Sequence, residues 1–299
     1  MHATAVFYRA MKLALCLCCL VLFAASSKAQ LQIELQLKRL QYIAYEPVIA
    51  TLAITNLAGR DVDLHDEGGQ PWFGFEITAH EGQPVGPVNL SQTQPPLKIE
   101  AGKKVTQRIN LGPLYPVQDL GTYHVRAHVY FADLNKFFYS QAKVFEVTDA
   151  RPIWQQTVGV PVGVGGGGAR TYSLLSNRFP DHTSLYVRVE DKDSGVVYAT
   201  YSLGRSMASD EPQVEVDRAS QLHVLHCAAP RLWAYSHVDL NGELISRSTF
   251  SETKTRPRLV HTQDGDVAVR GGMMETPASQ TARESVPKLS ERPGQLPKN

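Results

Sequence analysis

Residues 31–38 read LQIELQLK, in which four apolar side chains alternate with four polar ones. Successive side chains of a β-strand point to opposite faces, so this period of two predicts a strand with one buried face. The alternation returns in residues 123–131, where Tyr, Val, Ala, Val and Phe alternate with His, Arg, His and Tyr. The same period recurs along almost the whole chain, which predicts an all-β protein.

Residues 30–148 are predicted to form the first domain. About eight short strands fall within this region, and turns that contain Gly, Asp or Asn separate them. Short strands with regularly spaced turn signals are typical of a β-sandwich, in which two sheets pack face to face. We therefore expect a β-sandwich over this region.

Three stretches of the first domain are similar to a known type of fold. Residues 45–48 read YEPV, residues 52–56 read LAITN and residues 120–127 read LGTYHVRA. These stretches resemble strand motifs of immunoglobulin-like and macroglobulin-type β-sandwich domains of secreted bacterial proteins. The resemblance implies an immunoglobulin-like sandwich over residues 30–148. It implies little about function, because this sandwich hosts many unrelated roles.

Residues 149–170 are predicted to be a linker with a Gly-rich turn. The run Gly165–Gly168 invites comparison with a phosphate-binding loop. Such a loop requires a Lys and a Ser or Thr directly after the last Gly, to contact phosphate and Mg²⁺. Ala169 and Arg170 stand there instead, so we expect a flexible turn.

Residues 171–270 are predicted to form a second all-β domain, with hairpin signals such as Asn241-Gly242. Residues 210–270 also resemble, weakly, the repeats of bacterial β-propellers, whose blades take about 40–45 residues. A propeller ring needs several blades, so two alternatives stay open. One is a second sandwich, which we favour and which gives two β-sandwich-like domains in tandem. The other is a sheet that another chain completes.

Residues 1–29 have the three parts of a secretory signal peptide. Two basic residues precede the uncharged apolar run 13–25, and a small-x-small motif predicts cleavage between Ala29 and Gln30. Met11 is an alternative start of the same signal. The run is shorter than the about 20 apolar residues of a transmembrane helix, although a retained anchor is the alternative. We expect a secreted or periplasmic protein with no membrane span after signal removal.

Residues 271–299 contain no aromatic residue and no Ile, and they include four prolines. A segment of this composition buries too little apolar surface to offset its ordering entropy. The sequence therefore predicts a disordered C-terminal tail.

Removal of the signal peptide changes the charge and the cysteine content. The segment holds three basic residues and no acidic one, so the net charge falls from +1 to about −2. This charge predicts no nucleic-acid partner. Of the four cysteines only Cys227 remains, so an intramolecular disulfide cannot form. We expect Cys227 to be a buried apolar residue rather than a nucleophile.

Neither metal ligands nor catalytic residues are predicted. The acidic stretch 61–68 has the wrong register for a calcium loop. His223 and His226 are three residues apart on a predicted strand and point to opposite faces, so only His223 and Cys227 share one. We expect one exposed His and one packed Cys here, no metal site and no cofactor. No Gly-x-Ser-x-Gly motif is present.

Trp233, Tyr235 and His237 share one face of a predicted strand and are the candidate binding residues. Such an aromatic row either stacks on a ligand or forms the core between two sheets. The expected partner is a protein or a glycan of the extracytoplasmic space. The sequence favours a non-enzymatic binding or scaffold protein. The alternatives are an accessory carbohydrate- or peptide-binding module of a degradative system, and a hydrolase whose site is assembled across strands.

Overall fold

The computed structural model describes residues 30–89, 95–161 and 167–275. This part of the chain is built of β-strands with two short 3₁₀ turns, at His80–Gly82 and Ala132–Leu134, and it contains no α-helix. The all-β prediction is therefore confirmed. No helix within the described residues has the length and apolar character that a membrane crossing requires. The predicted signal peptide, residues 1–29, and residues 276–299 of the predicted tail lie outside the described residues.

The strands are numbered in chain order over the described residues. They are β1 Leu31–Leu37, β2 Gln41–Ile43, β3 Ile49–Asn56, β4 Val62–Leu64, β5 Phe73–Thr78, β6 Pro84–Val85, β7 Leu97–Ile99, β8 Lys104–Asn110, β9 Gly121–Phe131, β10 Lys136–Tyr139, β11 Lys143–Thr148, β12 Arg151–Gly159, β13 Ala169–Arg178, β14 Thr183–Asp191, β15 Val197–Ser206, β16 Gln213–Val216, β17 Leu222–Ala229, β18 Leu232–Val238, β19 Leu244–Ser251, β20 Arg258–His261, β21 Val267–Arg270 and β22 Met273–Met274.

Backbone contacts divide the chain into two compact units whose segments alternate along the sequence. In the described part, the first unit contains residues 30–38, 49–109 and 124–144. The second contains residues 39–48, 110–123 and 145–275. Most of the predicted first domain falls in the first unit, but three of its segments, 39–48, 110–123 and 145–148, belong to the second.

The first unit contains the strand with which the sequence analysis began. β1 pairs with β3 in antiparallel register, from Leu31 opposite Asn56 to Leu37 opposite Ala50. Its apolar residues Leu31, Ile33 and Leu35 are buried, as the alternation predicted. β5 pairs with β9 in the same unit, and β10 pairs with β9 as well. β1 also contacts β10.

Asn56, at the end of β3, has a fully buried side chain whose polar atoms are all paired. Its Nδ2 donates to the backbone oxygens of Arg60 and Ile99, both at 2.8 Å. Its Oδ1 accepts the N–H of Ala58 at 2.9 Å. A buried amide must be paired in this way to avoid a desolvation penalty, so Asn56 fixes the turn that follows β3.

The second unit contains two larger antiparallel sheets, in addition to the antiparallel pair β20–β21. One has the order β12-β13-β14-β15 and the other β16-β17-β18-β19-β22. Apolar side chains from both sheets form one shared core, which buries surface that would otherwise contact water. Its buried members are Val158, Tyr172, Leu174, Leu185, Val187, Val189, Leu203, Leu222, Val224, Val238 and Leu240.

The segment 39–48 is held in the second unit by polar and apolar contacts. Nη1 of Arg39 donates to the hydroxyl of Tyr186 at 3.0 Å, and the guanidinium also pairs with Glu46. Nη2 of Arg188 donates to the backbone oxygen of Ala44 at 2.7 Å. Ile43 packs in a small buried cluster that includes Tyr186.

Two observed strands lie within the predicted linker and the predicted tail. Within the predicted linker 149–170, Arg151–Gly159 is strand β12, which pairs with β13. A bulge between Pro152 and Trp154 accommodates the proline, which lacks an N–H for a regular ladder. Within the predicted tail, Met273–Met274 is strand β22, which pairs with β19. Pairing with an edge strand, rather than apolar burial, places this pair in the sheet, because both Met side chains are mostly exposed.

Candidate functional site

The predicted binding row on β18 begins in the core. Trp233 is only 1% exposed and packs against Leu225, Cys227 and Phe250. Its Nε1 donates to Oε2 of Glu252 at 3.2 Å. A ring with this burial has no free face for a ligand, so the core alternative fits Trp233.

The other end of the same row is polar. His237 lies directly opposite His223 in the β17–β18 ladder. The two imidazole rings stack, with centroids 4.2 Å apart and planes 15° apart. Nδ1 of His223 contacts the hydroxyl of Tyr235 at 2.8 Å, and Nε2 of His237 contacts Oε1 of Gln221 at 2.6 Å. Tyr235 and His237 are partly buried and His223 is buried.

Asp217 completes this group, which we call the histidine cluster: Asp217, His223 and His237. Oδ2 of Asp217 lies 3.2 Å from Nε2 of His223. The ligand atoms of the three residues all lie within 4.8 Å of one another. Sequence reasoning missed Asp217 because it stands in the turn before β17, six residues from His223, and strand periodicity does not extend into a turn.

Three hydrogen bonds stabilise the turn that carries Asp217. Oδ1 of Asp217 accepts the N–H of Ala219 at 2.9 Å and that of Gln221 at 2.8 Å. The hydroxyl of Tyr172, a core residue, donates to the backbone oxygen of Ser220 at 2.9 Å. These bonds hold Oδ2 of Asp217 toward the histidines.

Burial shifts the pKa values of two residues at the polar end of the row, His237 and Tyr235. Desolvation, and then the neighbouring His223, lower the pKa of His237 below its usual value. Desolvation, and then Asp217, raise the pKa of the Tyr235 hydroxyl. At neutral pH, His237 is therefore a neutral imidazole and Tyr235 a neutral phenol.

Both histidines of β17 are buried, which corrects the prediction of one exposed His. His223 is 3% exposed, and His226, on the opposite face, is fully buried. Nε2 of His226 contacts the backbone oxygen of Arg205 at 3.1 Å, and burial lowers the pKa of His226 to about 4. Cys227 is a buried free thiol, as predicted, and burial is the main cause that raises its pKa.

The acidic stretch 61–68 is engaged in local structure. Asp61 forms an ion pair with Lys98 at 3.2 Å. The hydrogen bond with Lys98, and then that from the N–H of Ala101, lower the pKa of Asp61. Asp66 accepts the N–H of Trp72 at 2.9 Å. These carboxylates hold turns of the first unit.

A groove of about 1130 Å³ opens in the second unit, lined mainly by β12, β13 and the loops before β14 and β16. At one side the rings of Phe179 and His182 stack, with centroids 4.9 Å apart. Asp181 contacts His182 at 2.7 Å and Arg205 at 3.3 Å. Nδ2 of Asn177 is buried in the wall without a hydrogen-bond partner. The groove thus combines an aromatic surface with polar groups, as ligand sites commonly do.

No protein-family model matches this chain, and no curated protein matches its sequence. Among solved structures, the sporulation control protein Spo0M from Bacillus subtilis gives a weak match at 8% identity, over 58% of this chain and 91% of that chain. Its TM-score is 0.28, which is too low to support an argument about fold or function.

Proposed function

We propose that this chain is a secreted or periplasmic, non-enzymatic binding protein whose groove holds a glycan. The observation that carries the proposal is the stacked pair of rings, Phe179 and His182, in the groove wall. Polar groups line the same groove, and a sugar offers both an apolar C–H face for the rings and hydroxyls for the polar groups.

The stacked rings of Phe179 and His182 support a glycan as the ligand. An aromatic ring packs against the apolar C–H face of a sugar, while neighbouring polar groups pair with its hydroxyls. Asp181 and Arg178 line the same groove and supply an acceptor and a donor. Extracytoplasmic placement rests on the N-terminal signal features, and it brings the chain to the compartment in which envelope glycans occur.

The proposed fold of the first domain is an immunoglobulin-like sandwich. Tyr123, near the start of β9, supports it. Its hydroxyl donates to the backbone oxygen of Asp119 at 2.9 Å. Immunoglobulin-type sandwiches contain a comparable tyrosine corner, in which a Tyr hydroxyl bonds to the backbone a few residues upstream. For the second domain, two sheets with a shared core support the sandwich alternative.

The test is binding of the purified chain to a glycan panel and to insoluble envelope polysaccharides. We expect saturable binding of at least one glycan, and Phe179→Ala should weaken it about 10-fold because one of the two stacked rings of the groove is lost. His182→Ala should weaken it as well. His261→Ala is the matched control, because His261 is exposed in the same unit and does not line the groove.

Two outcomes with a bound glycan contradict the proposal. One is glycan binding that both groove variants leave unchanged. The other is catalytic turnover of a bound glycan, which would favour the hydrolase alternative. If the chain binds a protein and no glycan, the ligand of the groove is a protein and the glycan proposal is wrong.

A further inference from the structure

We propose that the histidine cluster binds one divalent first-row transition-metal ion that favours imidazole, Zn²⁺ or Cu²⁺. This site is separate from the groove, so the inference goes beyond the proposed function and does not depend on it. Two imidazoles and one carboxylate are a common ligand set for these ions.

The backbone brings the ligands together. His223 and His237 are cross-strand partners, and side chains in such pairs lie on one face with Cβ atoms about 5 Å apart. Asp217 reaches the same place from the turn before β17. The contact of its Oδ2 with Nε2 of His223, at 3.2 Å, is close to the about 3.4 Å between ligand atoms in a tetrahedral site with bonds near 2.1 Å.

The hydrogen bonds around the cluster select the ligand atoms. Gln221 offers Oε1 to Nε2 of His237, so Nε2 carries the proton and Nδ1 is left as the lone pair. Metal-bound histidines commonly donate their second ring N–H to an outer acceptor in this way. On His223, the Tyr235 hydroxyl contacts Nδ1, which leaves Nε2 directed at Asp217.

Two local changes, one at each histidine, are needed for a metal ion to bind. To act as a ligand, His223 carries its ring proton on Nδ1, where the Tyr235 oxygen accepts it, so that the lone pair of Nε2 is available to the metal ion. His237 turns its ring out of the stack so that Nδ1 joins Nε2 of His223 and Oδ2 of Asp217. Asp217 keeps both of its turn hydrogen bonds, because these use Oδ1. Three protein ligands then leave one coordination position for water or a ligand.

The test is titration of the purified, metal-free chain with Zn²⁺, Cu²⁺ and Ca²⁺, followed by calorimetry and by metal analysis after gel filtration. We expect one equivalent of Zn²⁺ or Cu²⁺ and no retained Ca²⁺, since Ca²⁺ prefers all-oxygen sites. The bound ion should raise the melting temperature by about 5 °C at saturating excess.

Two variants remove ligands with little change in shape. His237→Gln and Asp217→Asn should each weaken binding by about 100-fold or more, beyond the loss typical of outer-sphere changes. Asp217→Asn keeps Oδ1 for the turn, so it guards against a result that reflects misfolding. His261→Gln is the matched control and should bind as the parent does, because the contact of His261 with Glu215 is exposed.

The proposal is overturned if the parent chain binds neither Zn²⁺ nor Cu²⁺ at micromolar concentration. It is also overturned if both ligand variants, shown by circular dichroism to be folded, bind as tightly as the parent. Retention of Ca²⁺ alone would exclude imidazole ligands and overturn it as well.

Discussion

The β17–β18 ladder has an apolar end and a polar end on one face. At the apolar end Cys227 lies opposite Trp233, and at the polar end His223 lies opposite His237. Tyr235 lies between the two ends. Its ring packs against the apolar cluster, and its hydroxyl contacts Nδ1 of His223.

The two ends differ in what covers them. Partly buried apolar residues pack against the apolar end, namely Met207, Leu259 and Val269. At the polar end, the carboxylate of Asp217 contacts His223. The same strand pattern thus gives core at one end and a candidate site at the other. The covering residues, rather than the row itself, decide which.

The largest change in the free energy of unfolding is expected for a substitution at the apolar end. Trp233→Ala should lower the free energy of unfolding by about 3–5 kcal/mol, because it removes a buried indole and leaves a cavity. Urea denaturation measures the change, and Trp233→Phe should cost less because most of the apolar volume is kept. A loss below about 1 kcal/mol for Trp233→Ala would show that this end is not core.

The next effect concerns the opposite face of β17, where His226 has a pKa of about 4. An unfolded His has a pKa of about 6.5, so the unfolded chain takes up this proton first as the pH falls. The stability from a neutral His226 is therefore complete above pH 6.5 and is lost as the pH falls toward 4, by roughly 3 kcal/mol in total.

Denaturation midpoints of the parent and of His226→Gln between pH 7 and pH 4 measure this contribution. Gln keeps a donor for the Arg205 oxygen and does not titrate, so its stability should fall less over this range. Parallel pH profiles for the two proteins would refute the assignment.

The smallest effect is expected between the two ends. Tyr235→Phe removes the hydroxyl that contacts His223 and keeps the ring in the apolar cluster, so it should cost about 1 kcal/mol of unfolding free energy. Tyr198→Phe is the control, because Tyr198 is 44% exposed, and it should leave the denaturation curve unchanged. An equal loss of unfolding free energy in both variants would show that the Tyr235 hydroxyl does not stabilise the histidine cluster.

Strands that bury one face were predictable from the sequence. In β1 the alternation of Leu31, Ile33 and Leu35 with polar residues matched the observed burial. In the middle of β13, Tyr172 to Leu175 are buried on both faces, so burial there shows no alternation that periodicity could predict. β12 lay within the predicted linker because its residues are mostly exposed and it carries Pro152.

The candidate site was predictable only in part. Periodicity placed Trp233, Tyr235 and His237 on one face and separated His223 from His226. Periodicity could not pair His223 with His237, because the pairing depends on the register between β17 and β18. That register is set by the turn at Arg231, which has a left-handed φ of 60°, and by an irregularity between Cys227 and Ala229. The groove around Asn177 arises from segments distant in sequence, which no local pattern reveals.

The contacts of segment 39–48 have a consequence for how this chain is made. Arg39 and Tyr186, which share a hydrogen bond, are 147 residues apart in sequence. Ile43 packs against Leu175 and Tyr186, which a ribosome adds much later. Closure of such long loops slows folding. A nascent chain of the first 148 residues therefore lacks these partners of Arg39 and Ile43, so we expect the segment to complete its packing only after residue 186 has been synthesised.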